Sequence, residues 1–154
     1  MTHNDVLRSV RYLLDVGDAT LGDIVRLGDG KVTQADLVAF LKKEDEAGYR
    51  ECDDRTMGHF LAGLIIYKRG KDPRRQPQPV ALPVTNNAIL KALRVAFELK
   101  DSDMIALVEK TGMRVSKPEL SAFFRRPDHR NYRDCGDQIL RRLLRGLSGN
   151  FSSL

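Results

Sequence analysis

Apolar residues fall at helical spacing in four successive stretches, pause, and fall at the same spacing in four more. Val6, Leu7, Val10, Leu13 and Leu14 follow the i, i+1, i+4, i+7, i+8 pattern of a helix with one apolar face. A second stretch carries Leu21, Ile24 and Val25, a third Leu37, Phe40 and Leu41, and a fourth Met57, Phe60, Leu61, Leu64 and Ile65. The later four read the same way. They carry Ile89, Leu90, Leu93, Ala96 and Phe97, then Met104, Leu107 and Val108, then Leu120, Phe123 and Phe124, and last Leu140, Leu143, Leu144 and Leu147. No segment alternates as a strand would.

The recurrence is a duplication. Shifted by 83 positions, residues 2–64 align with 85–147 without a gap, and identities run the whole length: Asn4/Asn87, Leu7/Leu90, Arg11/Arg94, Asp18/Asp101, Val32/Val115, Phe40/Phe123 and Gly63/Gly146 among them. The chain even spells one phrase twice, YRECDD at 49–54 and YRDCGD at 132–137. Such a repeat decides the fold before any other argument. The expectation is all-α: two tandem four-helix subdomains, 1–71 and 85–154. Their leftover apolar faces could dock about a pseudo-twofold axis. Between them, residues 72–84 read DPRRQPQPVALPV, a proline density that favours an extended spacer.

Helix starts are spelled out. Thr33 and Ser116 sit three residues before Asp36 and Glu119, the spacing of a capping box, of which Glu119 is the better match. Val32 and Val115 precede these caps, where a staple onto Leu37 and Leu120 belongs. The repeated phrase fits the same grammar, with Asp53 and Gly136 as N-caps of the fourth helix. Cys52 and Cys135 then become staple residues over Met57 and Leu140, and Asp54 and Asp137 meet the positive helix end. Free cysteine behaves as a small buried hydrophobe. Folding, rather than redox chemistry, is therefore the expected reason for the repetition.

Taken together, the TxN starts, the VSKPELSAFFR-type segment, the Y-x-x-C phrase and the closing FLxGL or LLxGL resemble the YehS-like family of bacterial proteins. The runs TNNAILKALRVAFELKD and RVSKPELSAFF, and the basic Tyr67-Lys68-Arg69-Gly70 after the first copy, carry the likeness. What the resemblance implies is a duplicated all-α domain of unknown function, with no reaction, cofactor or ligand attached to any residue.

Composition narrows the function classes. With 154 residues and 42% apolar content the chain can bury a real core. No run reaches the ~18 apolar residues of a membrane span, and the N-terminus does not read as a signal peptide, so a cytoplasmic home without membrane contact is expected. The two cysteines are too few for a disulfide framework and too far apart for a zinc site. Net charge is +5, unevenly spread: residues 1–71 hold 11 Lys and Arg against 12 Asp and Glu, residues 85–154 hold 13 against 8. An anionic partner would prefer the second half.

No catalytic constellation emerges. His3, His59 and His129 form no metal-ligand pair, Gly28-Asp29-Gly30 lacks the phosphate-loop pattern and reads as a turn, and no GxSxG elbow occurs. The acidic run Glu44-Asp45-Glu46 reads as a solvated loop. Asp45, Tyr49 and Arg50, with Asp128, Tyr132 and Arg133, could instead form a network tying the loop to the fourth helix. The expectation is a non-catalytic protein without cofactor or metal.

Nucleic-acid binding is the leading functional reading. Residues 102–126 resemble a helix-turn-helix in spacing. Lys117, Arg125, Arg126, Arg130, Arg141, Arg142 and Arg145 are the candidate contacts, Arg141 and Arg145 sharing one helix face. Two features pull against it: with Gly112 at the turn the following apolar positions fall out of the standard register, and Phe123 and Phe124 fit the core stripe better than a stacking face. The alternative is a protein-interaction adaptor with no nucleic-acid role.

Overall fold

The computed structural model describes residues 1–74 and 80–149. Among these residues there are eight helices and no strand. The chain divides into two units, 1–84 and 85–154. The first contains α1 (His3–Leu14), α2 (Asp18–Leu27), α3 (Gln34–Leu41) and α4 (Asp54–Arg69). The second contains α5 (Asn86–Ala96), α6 (Asp101–Glu109), α7 (Lys117–Phe123) and α8 (Asp137–Ser148).

The caps form where the sequence places them. Thr33 with Asp36 and Ser116 with Glu119 both close reciprocal capping boxes, as do Thr2 and Asp5 at the start of α1. The Asp53 side chain accepts from Thr56 N–H at the head of α4, and Gly136 caps α8 with its backbone alone. Each side-chain cap stabilises its helix by about 1 kcal/mol. Val32, Val115, Cys52 and Cys135 are buried beneath these turns, as staple residues must be.

What holds the long loop between the third and fourth helices of each unit is a buried asparagine. Asn4 is fully buried, and its carboxamide donates to the carbonyls of Phe40 (2.9 Å) and Arg50 (2.8 Å) while accepting from Cys52 N–H (3.0 Å). Asn87 repeats the arrangement on Phe123 (3.0 Å), Arg133 (2.8 Å) and Cys135 (2.9 Å). One side chain thus satisfies the last turn of the third helix and both polar groups of the returning strand-like segment. Backbone bonds finish the closure: Arg50 N–H to Ala39, and Arg133 N–H to Ala122, each 3.2 Å. Residues 44–48 are exposed, as a solvated loop should be, and the loop is closed by the asparagine rather than by the alternative network through Asp45, Tyr49 and Arg50. The Arg50 guanidinium instead pairs with Asp36 and lies over the Phe40 ring, and Asp128 pairs with Arg126.

The second constraint is a close helix crossing. A Cβ on Gly63 would stand 1.7 Å from the Ile24 carbonyl oxygen, and one on Gly28 would stand 1.9 Å from the His59 carbonyl oxygen. Only glycine lets α2 and α4 meet backbone to backbone. At Gly146 the corresponding distance, to the Leu107 carbonyl oxygen, is 2.8 Å. Leu107 is only half-buried, unlike its partner Ile24. Phe124, placed in the core stripe by its spacing, is the half-exposed C-cap of α7.

Of the proline-rich spacer, Pro77 and Pro79 lie outside the described residues. Its last residues belong to the first unit: Val84 is buried, and a Cβ on Gly58 would touch Val80 and Val84 at 3.6–3.8 Å.

Asn87→Ala leaves two carbonyls and one N–H unpaired, and is expected to cost about 2–4 kcal/mol in urea unfolding. Asn87→Asp should fail as well, because a carboxylate cannot donate to the two carbonyls; wild-type stability in either variant would refute the clamp. At the crossings, Gly63→Ala should lower the melting temperature more than Gly146→Ala, and Gly146→Leu should lower it further. Equal melting temperatures for wild type and all three would refute the close approach.

Candidate nucleic-acid interface

The seven candidate side chains do not share one environment. Lys117 opens α7, Arg125, Arg126 and Arg130 lie on the loop after it, and Arg141, Arg142 and Arg145 lie on α8. Lys117, Arg125, Arg126, Arg130 and Arg141 are exposed, whereas Arg142 and Arg145 are half-buried.

Arg142 is a structural cation. Its guanidinium donates to the Thr111 carbonyl at 2.5 Å, at the C-terminal end of α6, where unpaired carbonyls concentrate negative potential. His59, the residue at the matching position of the first unit, plays the same part: its Nδ1 lies 2.7 Å from the Gly28 carbonyl oxygen at the end of α2. A ring N–H donating to a carbonyl ties α4 to the end of α2. Both cysteines are buried thiols. Burial foremost, then Asp53 and Asp54, pushes the Cys52 thiol up to about 12, and burial pushes that of Cys135 up to about 11, so both stay protonated at neutral pH.

The exposed cations sit on a loop whose frame is common to both units. The clamp, the bond back to the third helix, and the turn bonds from Glu46 to Lys43 and from His129 to Arg126 recur in register. The side chains on that frame diverge. Residues 42–51 carry three Lys and Arg against four acids, and residues 125–134 carry four Arg against two acids. In the first unit two of the cations are engaged at the surface: Lys42 donates to the Ala47 carbonyl and Arg50 pairs with Asp36. In the second, no hydrogen bond or ion pair among the described residues engages the side chains of Arg125, Arg130 or Arg133. Arg126 and Asp128 form an exposed pair at 3.4 Å, weak in water. Sequence reasoning left Arg133 out of the candidate set, although its place beside Tyr132 in the repeated phrase was the available signal.

The helix that would read a duplex groove is poorly equipped. α7 has seven residues, buries Leu120, Ala122 and Phe123, and leaves Lys117, Pro118 and Glu119 fully exposed. Its one cation is balanced by one carboxylate. Half-exposed aromatic rings instead flank the basic loop. Tyr132 has its phenol raised by desolvation first and then by a hydrogen bond to Asp134, and Phe124 lies under the Arg94 guanidinium at 4.6 Å.

Comparison with known proteins identifies relatives but no activity. A family model described as "Protein of unknown function (DUF1456)" matches residues 3–70 and 86–150, one segment in each unit. An Escherichia coli (strain K12) protein named "Uncharacterized protein YehS" is 45% identical over 148 residues, covering 96% of this chain and 95% of the relative. No solved structure gives a significant match.

The division of labour among the arginines is directly measurable. Arg142→Ala should lower the melting temperature, because the α6 carbonyl end loses its donor, at a cost of about 1–3 kcal/mol. Arg125→Ala and Arg130→Ala should change stability by no more than about 0.5 kcal/mol. Equal effects at the three positions would contradict the assignment.

Proposed function

As the chain belongs to the DUF1456 family, whose description names no activity, we propose that it is a non-catalytic nucleic-acid-binding protein. Binding is through the basic surface of the second unit, in the cytoplasm of a bacterium. The observation that carries this reading is the loop at 125–133. Its frame is held from inside by Asn87, while Arg125, Arg130 and Arg133 are exposed and engaged by no side-chain hydrogen bond or ion pair among the described residues. Such cations displace counterions from phosphates, giving affinity that is tolerant of sequence and steep in salt. Lys117, Arg125, Arg126, Arg130, Arg133 and Arg141 are the contacts; Arg142 is engaged at Thr111 instead.

A protein-interaction adaptor is the second reading. Tyr12 (64% exposed), Val38 (42%), Tyr67 (42%) and Leu27 (39%), all in the first unit, favour it. It ranks second because singly exposed apolar residues are ordinary on protein surfaces.

A fluorescence-anisotropy titration with labelled mixed-sequence oligonucleotides tests the primary reading. With about six phosphate contacts, affinity should fall roughly 1,000-fold between about 50 and 200 mM salt. Arg125→Glu combined with Arg130→Glu should abolish binding at an unchanged melting temperature. Absence of binding at the lower salt, or unaltered binding by the double variant, would overturn it. A nuclease-resistant protein partner captured by the same double variant would then support the adaptor.

A further inference from the structure

Resting on the nucleic-acid reading above, we propose that the ligand is single-stranded rather than duplex nucleic acid, its backbone along the 125–133 loop and a base stacked on Tyr132. Duplex recognition needs a protruding helix whose outer side chains reach base edges, and α7 offers there only Lys117 with Pro118 and Glu119. The cations lie on irregular backbone instead, and that backbone is preorganised. Asn87 holds the Arg133 carbonyl at 2.8 Å, and Ala122 holds the Arg133 N–H at 3.2 Å.

Single strands are bound by cations that track phosphates together with aromatic faces that accept bases of any sequence. Tyr132 meets the second need. It stands between Arg130 and Arg133 in the chain, and the residue is half-exposed. The backbone that follows it, Arg133 to Cys135, is clamped by Asn87. Carboxylates interrupt the cations at Asp128 and Asp134. Asp128 is paired with Arg126, which leaves Asp134 as the one carboxylate of the loop outside that pair.

The first unit supplies an internal control. Tyr49 holds the matching position, but Glu44 and Glu51 act electrostatically on its phenol, and the loop around it is net acidic. A ring in that setting repels a phosphate chain, so stacking is confined to the second unit.

The chain contains no tryptophan, so Tyr132→Trp and Tyr49→Trp each install a single reporter. Each variant is titrated with 20-nucleotide single-stranded RNA, single-stranded DNA and a duplex of equal length at one salt concentration, following anisotropy and tryptophan emission together. At least one single strand should bind about tenfold tighter than the duplex. Emission of the tryptophan introduced at 132 should be quenched in step with binding, and that at 49 should not change. Tyr132→Leu, checked by its melting temperature, should lose about tenfold in single-strand affinity. A preference between the two single strands identifies the sugar and supports the proposal either way. Duplex binding as tight as that of the better-bound strand, or single-strand binding without quenching at 132, overturns this inference while leaving nucleic-acid binding in place. Failure of all three oligonucleotides to bind removes both.

Discussion

A single primary amide, buried once in each unit, fixes the geometry of everything after the third helix. The side chain of asparagine carries two N–H donors and a carbonyl acceptor, and Asn4 and Asn87 use all three on backbone groups that would otherwise be buried without partners. An unmade bond at such a site costs about 1–3 kcal/mol, a large share of the total stability of a small domain. No other side chain fits. Aspartate lacks the donors, leucine lacks the polar atoms, and glutamine adds a methylene that the packed core would have to admit.

That internal grip separates folding from surface chemistry. Because the loop is held by its backbone, its outward side chains are released from any role in stability, and the two copies have used the freedom differently. The first loop carries acids and engages Lys42 and Arg50 with Ala47 and Asp36. The second carries arginines directed at solvent. Where residues that serve the frame differ between the copies, the replacement keeps the same target. His59 and Arg142 both meet a carbonyl at the end of the second helix of their unit, and His3 and Asn86 both reach the first-turn aspartate of the fourth helix. Cys52 and Cys135 are the same case without change. Their N–H groups feed the clamp and their thiols fill the staple position.

Most of the architecture was legible in the chain because it is written in local grammar. Helical spacing, capping boxes and the 83-residue register each depend on residues a few positions apart or on identity between copies, and the helices start at Asp54 and Asp137 as the repeated phrase implies. The clamp was harder to read, since its partners are backbone groups 36 to 48 residues away and a backbone leaves no mark on the sequence. The available signal was a polar residue shared by both copies on an otherwise apolar helix face, three positions before Leu7 and Leu90. Arg142 falls among the surface cations in the sequence for the same reason, its target being the Thr111 carbonyl. Phe124 falls in the core stripe because spacing alone does not reveal that α7 ends one residue earlier.

The claim that these loops are held from within is tested most directly by amide hydrogen exchange. If the clamp governs, the N–H groups of Cys52, Cys135, Arg50 and Arg133 will exchange only through global unfolding, as slowly as those of the helix cores, while the loop tips at 43–48 and 126–131 exchange rapidly. Exchange of the cysteine amides at the rate of the loop tips would contradict the account.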